Sequence, residues 1–231
     1  MLDRAYTCAL QAAERIDMIR RLTLATIAFL ITVPLAAQAP DGWQMRLDAS
    51  TNAADPDDVP EVTVNRWRSQ VARGFEVFTG PAVTMWNPAN TASGNYTLEG
   101  TFTLLEPSGH VNYYGLIYGA GALEAERQNY IYFLVGQNGT YVIRHRAGDE
   151  TVPDIMGRTE NAAITTPDAN GQSVNHLEVR VGANETQFLA NGTVLHTAAR
   201  TGMAARSDGI WGVRINHVIP GVRVEGLRLT R

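Results

Sequence analysis

The glutamates are the first residues to consider for chemistry, because cleavage of a glycosidic bond needs two carboxyl groups facing each other across that bond. Glu99 is the strongest single candidate, since it lies among threonines in the middle of an alternating segment. Glu178 lies between Leu177 and Val179 on another alternating segment. The sequence shows no partner for either glutamate, and a solvated strand face is the alternative interpretation. We therefore assign no catalytic residue from the sequence.

Metal-ligating residue types occur without an established spacing. The five histidines are scattered singly, and no His-x-His or His-Glu-x-x-His pattern is present. One acidic cluster, Asp55, Asp57 and Asp58, could offer oxygen ligands to calcium, but it lacks the spacing and turn glycine of a known calcium loop. A solvated acidic loop is the simpler interpretation. We predict no metal ligand and no cofactor, with calcium as the open alternative.

Tyrosines and arginines form the pattern that best suits a ligand. Aromatic rings stack on the C–H-rich faces of sugars, while arginine and asparagine side chains hydrogen-bond to hydroxyls. Alternation in residues 129–146 puts Tyr130 and Tyr132 on one strand face and Arg144 and Arg146 on the matching face of the next strand. We predict a wet, sugar-binding surface. Its predicted residues are Tyr118, Tyr130, Tyr132, Arg144, Arg146, Arg214 and Asn216. The alternative is ordinary cross-strand pairing on a sheet surface.

The elements that would position these side chains are almost all strands. After Val59 the sequence alternates with period two and predicts about ten to twelve strands separated by Gly, Asn and Pro turns. Only residues 66–73 and 123–128 have helical character, and both are short. Asn138-Gly139 and Asn191-Gly192 predict two-residue hairpin loops with positive φ at both central residues. So many strands without helices require two sheets packed face to face, an all-β sandwich.

The N-terminal part has the layout of an export signal. Residues 1–39 predict an upstream extension and then a secretory signal peptide that starts at Met18, with a basic start, an apolar run to Val33 and small residues before the cleavage point. Cleavage is expected after Ala37 or Ala39. The apolar run is too short for a membrane span, although an N-terminal anchor helix is the alternative. Residues 40–60 then form an N-terminal segment and loop, and residues 61–231 form the β-sandwich domain.

Composition excludes several classes of function. All 19 basic residues are arginines, so a catalytic Schiff-base lysine and a P-loop lysine are both excluded. The single cysteine, Cys8, lies in the segment expected to be removed, so thiol chemistry and disulfides are not expected in the mature protein. The formal net charge of −4 and the absence of a basic stripe argue against nucleic-acid binding.

The order of the strands resembles the concanavalin A-like lectin/glucanase superfamily, and within it the laminin G-like and 3-keto-disaccharide hydrolase-type domains. The resemblance rests on an asparagine before an alternating strand at 175–181 and on a Phe-x-x-Asn-Gly-x-x-Val-like stretch at 188–194. It rests further on an aromatic, glycine-rich strand at 209–213 and a final strand at 222–229. This resemblance implies a curved jelly-roll sandwich that often binds glycans on its concave face. The acidic residues of the superfamily's enzymes are missing here, so their catalytic roles are not transferred.

These observations favour a secreted or periplasmic, non-catalytic carbohydrate-binding module. One alternative is a hydrolase of glycosides or 3-keto-glycosides that uses Glu99 or Glu178. The other is a laminin G-like domain that binds an extracellular protein. The expected ligand is a glycan or oligosaccharide, with no nucleic acid and no stable membrane span after cleavage of the signal.

Overall fold

The structure is a computed structural model that describes residues 39–40, 42–48, 74–79, 82–148, 152–217 and 219–231. These residues form thirteen strands and one short 3₁₀ helix, Gly202–Ala205. The strands are β1 (Gln44–Leu47), β2 (Gly74–Thr79), β3 (Val83–Ala92), β4 (Tyr96–Glu106), β5 (Tyr113–Gly121), β6 (Asn129–Gly136), β7 (Thr140–Ala147), β8 (Asp154–Glu160), β9 (Ser173–Val181), β10 (Glu185–Ala190), β11 (Thr193–Ala199), β12 (Gly209–Asn216) and β13 (Ile219–Thr230). Residues 18–38 of the predicted signal peptide and the predicted helical segment at 66–73 lie outside the described residues.

The strands pair into two antiparallel sheets, as the alternation predicts. One sheet has seven strands in the order β1-β3-β12-β5-β6-β7-β8, and the other has six in the order β11-β10-β9-β4-β13-β2. The prediction of an all-β sandwich is confirmed. Two expectations differ in detail. Residues 123–128 form turns rather than a helix, and β8, which carries Gly157 and lacks a clear alternation, was not predicted.

The core lies between the sheets and consists of the apolar residue in every second strand position. Phe133 on β6 and Phe188 on β10 connect the two sheets through a T-shaped ring contact with centroids 5.5 Å apart. Such an aromatic pair contributes about 0.5–1.5 kcal/mol beyond the burial of its area. Other fully buried residues of this core are Leu98, Phe102, Leu116, Ile131, Ile143, Leu177, Val179 and Val213.

The two Asn-Gly turns differ in their backbone conformation. Asn191 and Gly192 both have positive φ, at 51° and 81°, which is the tight hairpin that the sequence predicts. At the other turn only Gly139 has positive φ, at 80°, and its N–H donates to the carbonyl of Gly136 at 3.1 Å. This turn is therefore a longer hairpin loop that ends in a left-handed glycine, and the expectation for Asn138 was wrong.

Asn191 has a second structural role besides turning the chain. Its side-chain amide donates to the carbonyl of Ala163 at 2.8 Å and to Oδ1 of Asn175 at 2.9 Å. Asn175 is fully buried, and its Oδ1 also accepts the N–H of Thr165 at 2.8 Å. The two asparagines that carry the resemblance thus fasten the loop at 161–166 to β9 and β10. Their role is structural.

Candidate functional site

The outer face of the seven-stranded sheet carries a row of side chains that crosses all seven strands. In the strand register, Gln44 lies opposite Trp86, Ile117 lies opposite Tyr132, and Arg144 lies between Tyr132 and Asp154. Gly212 of β12 completes the row between Trp86 and Ile117. We call this the cross-sheet row. Its middle is buried, with Trp86 and Tyr132 at most 5% exposed, whereas Gln44 and Asp154 at its two ends are exposed.

A buried arginine lies beside the middle of the cross-sheet row. Arg214 on β12 is 4% exposed, and its Nη1 donates to the hydroxyls of Thr84 at 2.7 Å and Tyr130 at 2.8 Å. Its Nε donates to Oδ1 of Asn216 at 2.9 Å. The guanidinium carbon lies 5.9 and 5.7 Å from the ring centroids of Tyr130 and Tyr132. These distances are those of cation–π contacts, which are stronger where water is excluded.

Asp48, which directly follows β1, is the carboxylate around which this part of the face is organised. Its side chain is 8% exposed, and Nη1 of Arg214 lies 2.7 Å from its Oδ2. Arg46 on β1 and Arg146 on β7 approach the same carboxylate at 3.6 and 4.0 Å. The Arg214 contact is an ion pair rather than a well-angled hydrogen bond, since Oδ2 has no hydrogen-bond partner in the described part of the chain. Arginines on three strands, β1, β7 and β12, therefore share the buried carboxylate of Asp48 as their counter-charge.

The pKa shifts at this site follow from the same contacts. Burial alone would lower the pKa of Arg214, but Tyr130, Asp48 and Tyr132 outweigh it and raise the pKa. Burial raises the pKa of Tyr132, against the opposing effect of Arg214 and Arg144. The arginine is therefore a permanent cation and the tyrosine a permanently neutral phenol over the whole physiological pH range.

A cleft of about 390 Å³ opens beside the Trp86 end of the cross-sheet row. Exposed polar groups at its edge come from Gln44, Glu124 and Arg127. Apolar groups come from Trp86, Pro88, Leu123 and Ile210. An apolar floor with a few polar groups at the edge is the usual composition of a small-ligand site, and the volume lies in the range of such sites.

The predicted sugar-binding residues lie together with one exception. Tyr130, Tyr132, Arg144, Arg146, Arg214 and Asn216 share the outer face of the seven-stranded sheet, as their alternation predicts. Tyr118 lies on the opposite face, in the core between the sheets, where its ring is 6.2 Å from that of Phe188. The expectation of a wet surface was wrong at the centre, because Tyr130, Tyr132 and Arg214 are buried. Arg144 remains accessible, with 31% of its side chain exposed.

The two candidate glutamates lie on the outer face of the other sheet, where they are direct cross-strand partners. One oxygen of Glu99 accepts from Arg228 at 2.7 Å, and one oxygen of Glu178 accepts from Arg180 at 2.7 Å. The second oxygens point to His176, whose Nε2 is 3.2 Å from Glu99 and 4.0 Å from Glu178. The partner that the sequence did not show for Glu99 is therefore Glu178.

A second cleft, of about 460 Å³, lies at one end of the six-stranded sheet. It is lined by Thr97, Arg180, Glu185 and Gln187, and its one aromatic residue, Tyr96, is buried with its hydroxyl bonded to the carbonyl of Ser207. This cleft is larger than the one beside Trp86, but it offers no aromatic surface, so we regard the Trp86 cleft as the better candidate for a sugar.

Several residues of the site, among them Trp86, Asp154 and Asp48, were not predicted from the sequence. Trp86 could have been found, because it alternates with Thr84 and therefore shares a face with a polar residue. Asp154 lies on the unpredicted strand β8. Asp48 has no sequence signal, since its importance comes from contacts with strands that are far away in the chain.

The structure does not test the calcium expectation. Among the described residues, no group of three or more His, Cys, Asp or Glu side chains is arranged to hold a metal ion. Asp55, Asp57 and Asp58 lie outside those residues. The part of the chain that the structure describes also contains no helix that is long and apolar enough to cross a membrane.

No protein-family model and no curated protein sequence matches the chain. It is similar to a number of solved structures. The CBM66 carbohydrate-binding module from Bacillus subtilis is 10% identical, with a TM-score of 0.49, over 82% of this chain and 96% of that one. Sheep galectin-11 in complex with glycerol is 15% identical, with a TM-score of 0.42, over 61% of this chain and 92% of the galectin.

A β-1,3-glucanase from Mycobacterium marinum is 11% identical, with a TM-score of 0.47, over 84% of this chain and 93% of the glucanase. These proteins are concanavalin A-like jelly-roll proteins, the superfamily that the sequence resembles. At these identities and TM-scores they supply no argument about function. The two-sheet sandwich itself rests on the strand pairing within this molecule.

Proposed function

We propose that this domain binds carbohydrate on the outer face of the seven-stranded sheet, along the cross-sheet row and in the adjoining cleft. The observation that carries the proposal is the fixed position of Arg214 beside an aromatic floor. Burying a charged group is costly unless it is paired, and such costs concentrate at functional sites. Here the contacts of Arg214 hold the tyrosine rings and the polar groups in one arrangement before a ligand binds. Less conformational entropy is therefore lost on binding.

The groups that a sugar can reach lie around this floor. Gln44 and Arg127 are exposed at the edge of the cleft, and Arg144 is partly exposed at the other end of the row. Amide and guanidinium groups provide the donors and acceptors that sugar hydroxyls need. The exposed ends of the row are six strand spacings of roughly 4.8 Å apart, so a ligand that touches both ends must be an oligosaccharide.

Binding without hydrolysis is the form of the proposal that the residues favour. On the outer face of the seven-stranded sheet, the buried carboxylate Asp48 is held by Arg214 and the exposed Asp154 is held by Arg144. Glu99 and Glu178, which are cross-strand partners, lie on the other sheet. We also propose an extracellular or periplasmic location, which the signal-like residues 18–39 support.

Calorimetry of the full chain against a saccharide panel, with and without calcium, tests the proposal. The Gln44→Ala, Arg127→Ala double variant should weaken binding at least about tenfold, because each change removes an exposed hydrogen-bonding group from the cleft. Arg180→Met, an exposed arginine on the other sheet, is the matched control and should leave the affinity unchanged. Equal affinity of the double variant and the native protein would move the site elsewhere, and a folded protein that binds no saccharide would refute the function.

A further inference from the structure

We infer that the saccharides bound along the cross-sheet row carry a carboxylate, which docks on the guanidinium of Arg144. This inference rests on the proposed function and names the class of its ligand as acidic saccharides with uronate residues. Nothing about the fold requires an anionic ligand. The inference comes from the way in which Arg144 and Asp154 are placed.

Arg144 is the arginine of the cross-sheet row, and a ligand can reach it. Its side chain is 31% exposed, whereas that of Arg214 is 5% exposed and is in contact with Asp48, which is itself 8% exposed. A ligand therefore cannot reach the Arg214 guanidinium without opening the sheet surface. Arg144 lies directly opposite Tyr132, so an anion that it binds would lie at the end of the aromatic floor.

The present partner of Arg144 is a carboxylate that a ligand can replace. Nε of Arg144 contacts Oδ1 of Asp154, and the Asp154 side chain is 49% exposed. Asp154 is the first residue of β8, the edge strand of the sheet, so its side chain can turn into solvent without disturbing the core. Exposed ion pairs of this kind contribute little to stability.

The geometry suits a carboxylate better than another group. The planar guanidinium fork of arginine matches a carboxylate in a two-pronged pair, which is shorter and stronger than a neutral hydrogen bond. Asp154 shows that a carboxylate fits at this place. A sugar carboxylate would take over the same contact at this partly exposed end of the row.

Matched saccharides and two opposite variants test the inference. The ligands are oligomers of galacturonate, mannuronate and glucuronate, each compared by calorimetry with its carboxyl-reduced, neutral counterpart. Native protein should prefer one or more of the uronates to the neutral counterpart. Arg144→Met should weaken uronate binding at least about tenfold, and Asp154→Asn should strengthen it by up to about fivefold, because a competing charge is removed. Arg180→Met, which removes an exposed, ion-paired arginine from the other sheet, should change neither.

Opposite signs for the two variants separate this role from a structural one. If the Arg144–Asp154 pair only stabilised the sheet edge, both substitutions would weaken binding or neither would affect it, and the inference would be overturned. Equal affinity for the uronates and their neutral counterparts would also overturn it, while leaving the proposed carbohydrate binding intact. Binding of no saccharide at all, acidic or neutral, would refute the proposed function together with the inference.

Discussion

The outer faces of the two sheets differ in how far their ion-paired arginines are exposed to water. On the seven-stranded sheet, the Arg214–Asp48 pair is buried to more than nine-tenths on both sides. On the six-stranded sheet, Arg180 and Arg228 are 47% and 64% exposed, although the carboxylates that they contact are largely covered. The first face thus sequesters a cation from water, and the second leaves its cations solvated.

This difference supports the binding site proposed on the seven-stranded sheet. Cross-strand pairs such as Arg228 with Glu99 stabilise a sheet modestly and need no further explanation. A buried ion pair seldom adds stability over apolar residues of similar volume, so its presence calls for a functional or specificity role. The three predictions below would break or sharpen the contrast, and they run from the largest expected effect to the smallest.

The largest effect is expected from removing the buried carboxylate of the seven-stranded sheet. Asp48→Ala leaves Arg214 buried beside Thr84 and Tyr130 without its counter-charge, which should lower the free energy of unfolding by about 3–5 kcal/mol. Urea denaturation of the full chain measures this change. A second substitution, Asp48→Ala with Arg214→Leu, removes the uncompensated cation and should recover a large part of the loss.

Glu178→Ala is the matched control for this measurement, because the Glu178 side chain is 11% exposed and thus nearly as buried as that of Asp48. Its arginine, however, can return to water, so the loss should be only about 1 kcal/mol. If Asp48→Ala and Glu178→Ala lower the free energy of unfolding by similar amounts, the two faces do not differ in how they expose their cations to water.

The second prediction concerns a buried histidine of the seven-stranded sheet. His145 on β7 is buried, and burial, with a contribution from Arg206, lowers its pKa. The unfolded chain, with a histidine pKa near 6.5, then binds more protons than the folded chain. The stability that His145 contributes is therefore fully present above about pH 6.5 and is lost as the pH falls toward its lowered folded value.

Urea denaturation between pH 8 and pH 5 measures this dependence. His145→Gln should reduce the loss of stability on acidification, since glutamine takes up no proton. If the His145→Gln variant loses as much stability on acidification as the native protein does, the loss comes from other titratable groups.

The strands could be predicted from the sequence, but the burial of the side chains on their outer faces could not. Alternation correctly placed Tyr130 and Tyr132 on one face and Ile131 and Phe133 on the other, because period two is a property of the strand itself. Alternation cannot show whether the face away from the core is covered. Tyr130 and Tyr132 are buried there, in a second cluster of covered residues that no local pattern reveals.

The residues of the candidate site likewise divide into those that the sequence predicts and those that it does not. Arg144 and Arg214 were predicted from their positions in the strands, and they lie on the same face as the tyrosines. Tyr118 has the residue type of the predicted site, but its position in β5 places it in the core instead. Asp48 could not have been found, since Arg146 and Arg214 approach it from strands that are distant in the sequence and meet it only in the folded sheet.

The smallest effect is expected at the glutamate pair of the six-stranded sheet. Glu99→Gln should lower the free energy of unfolding by no more than about 1 kcal/mol, because Arg228 is solvated without it. Saccharide binding should not change, since Glu99 lies on the sheet opposite the cross-sheet row. Denaturation and calorimetry on the same variant measure both quantities, with Glu178→Gln as its cross-strand counterpart.

The same variants also test for hydrolysis on this face. Glu99 and Glu178 are paired across neighbouring strands with His176 between their second oxygens, so they are the most plausible carboxyl pair in the described residues for cleaving a glycosidic bond. Each glutamate, however, has its other oxygen hydrogen-bonded to an arginine, so neither carboxyl group is free to contact a glycosidic oxygen. We therefore expect no release of reducing ends from any bound saccharide. Release that disappears in both Glu99→Gln and Glu178→Gln would instead place the chemistry on the six-stranded sheet and reverse the contrast between the two faces.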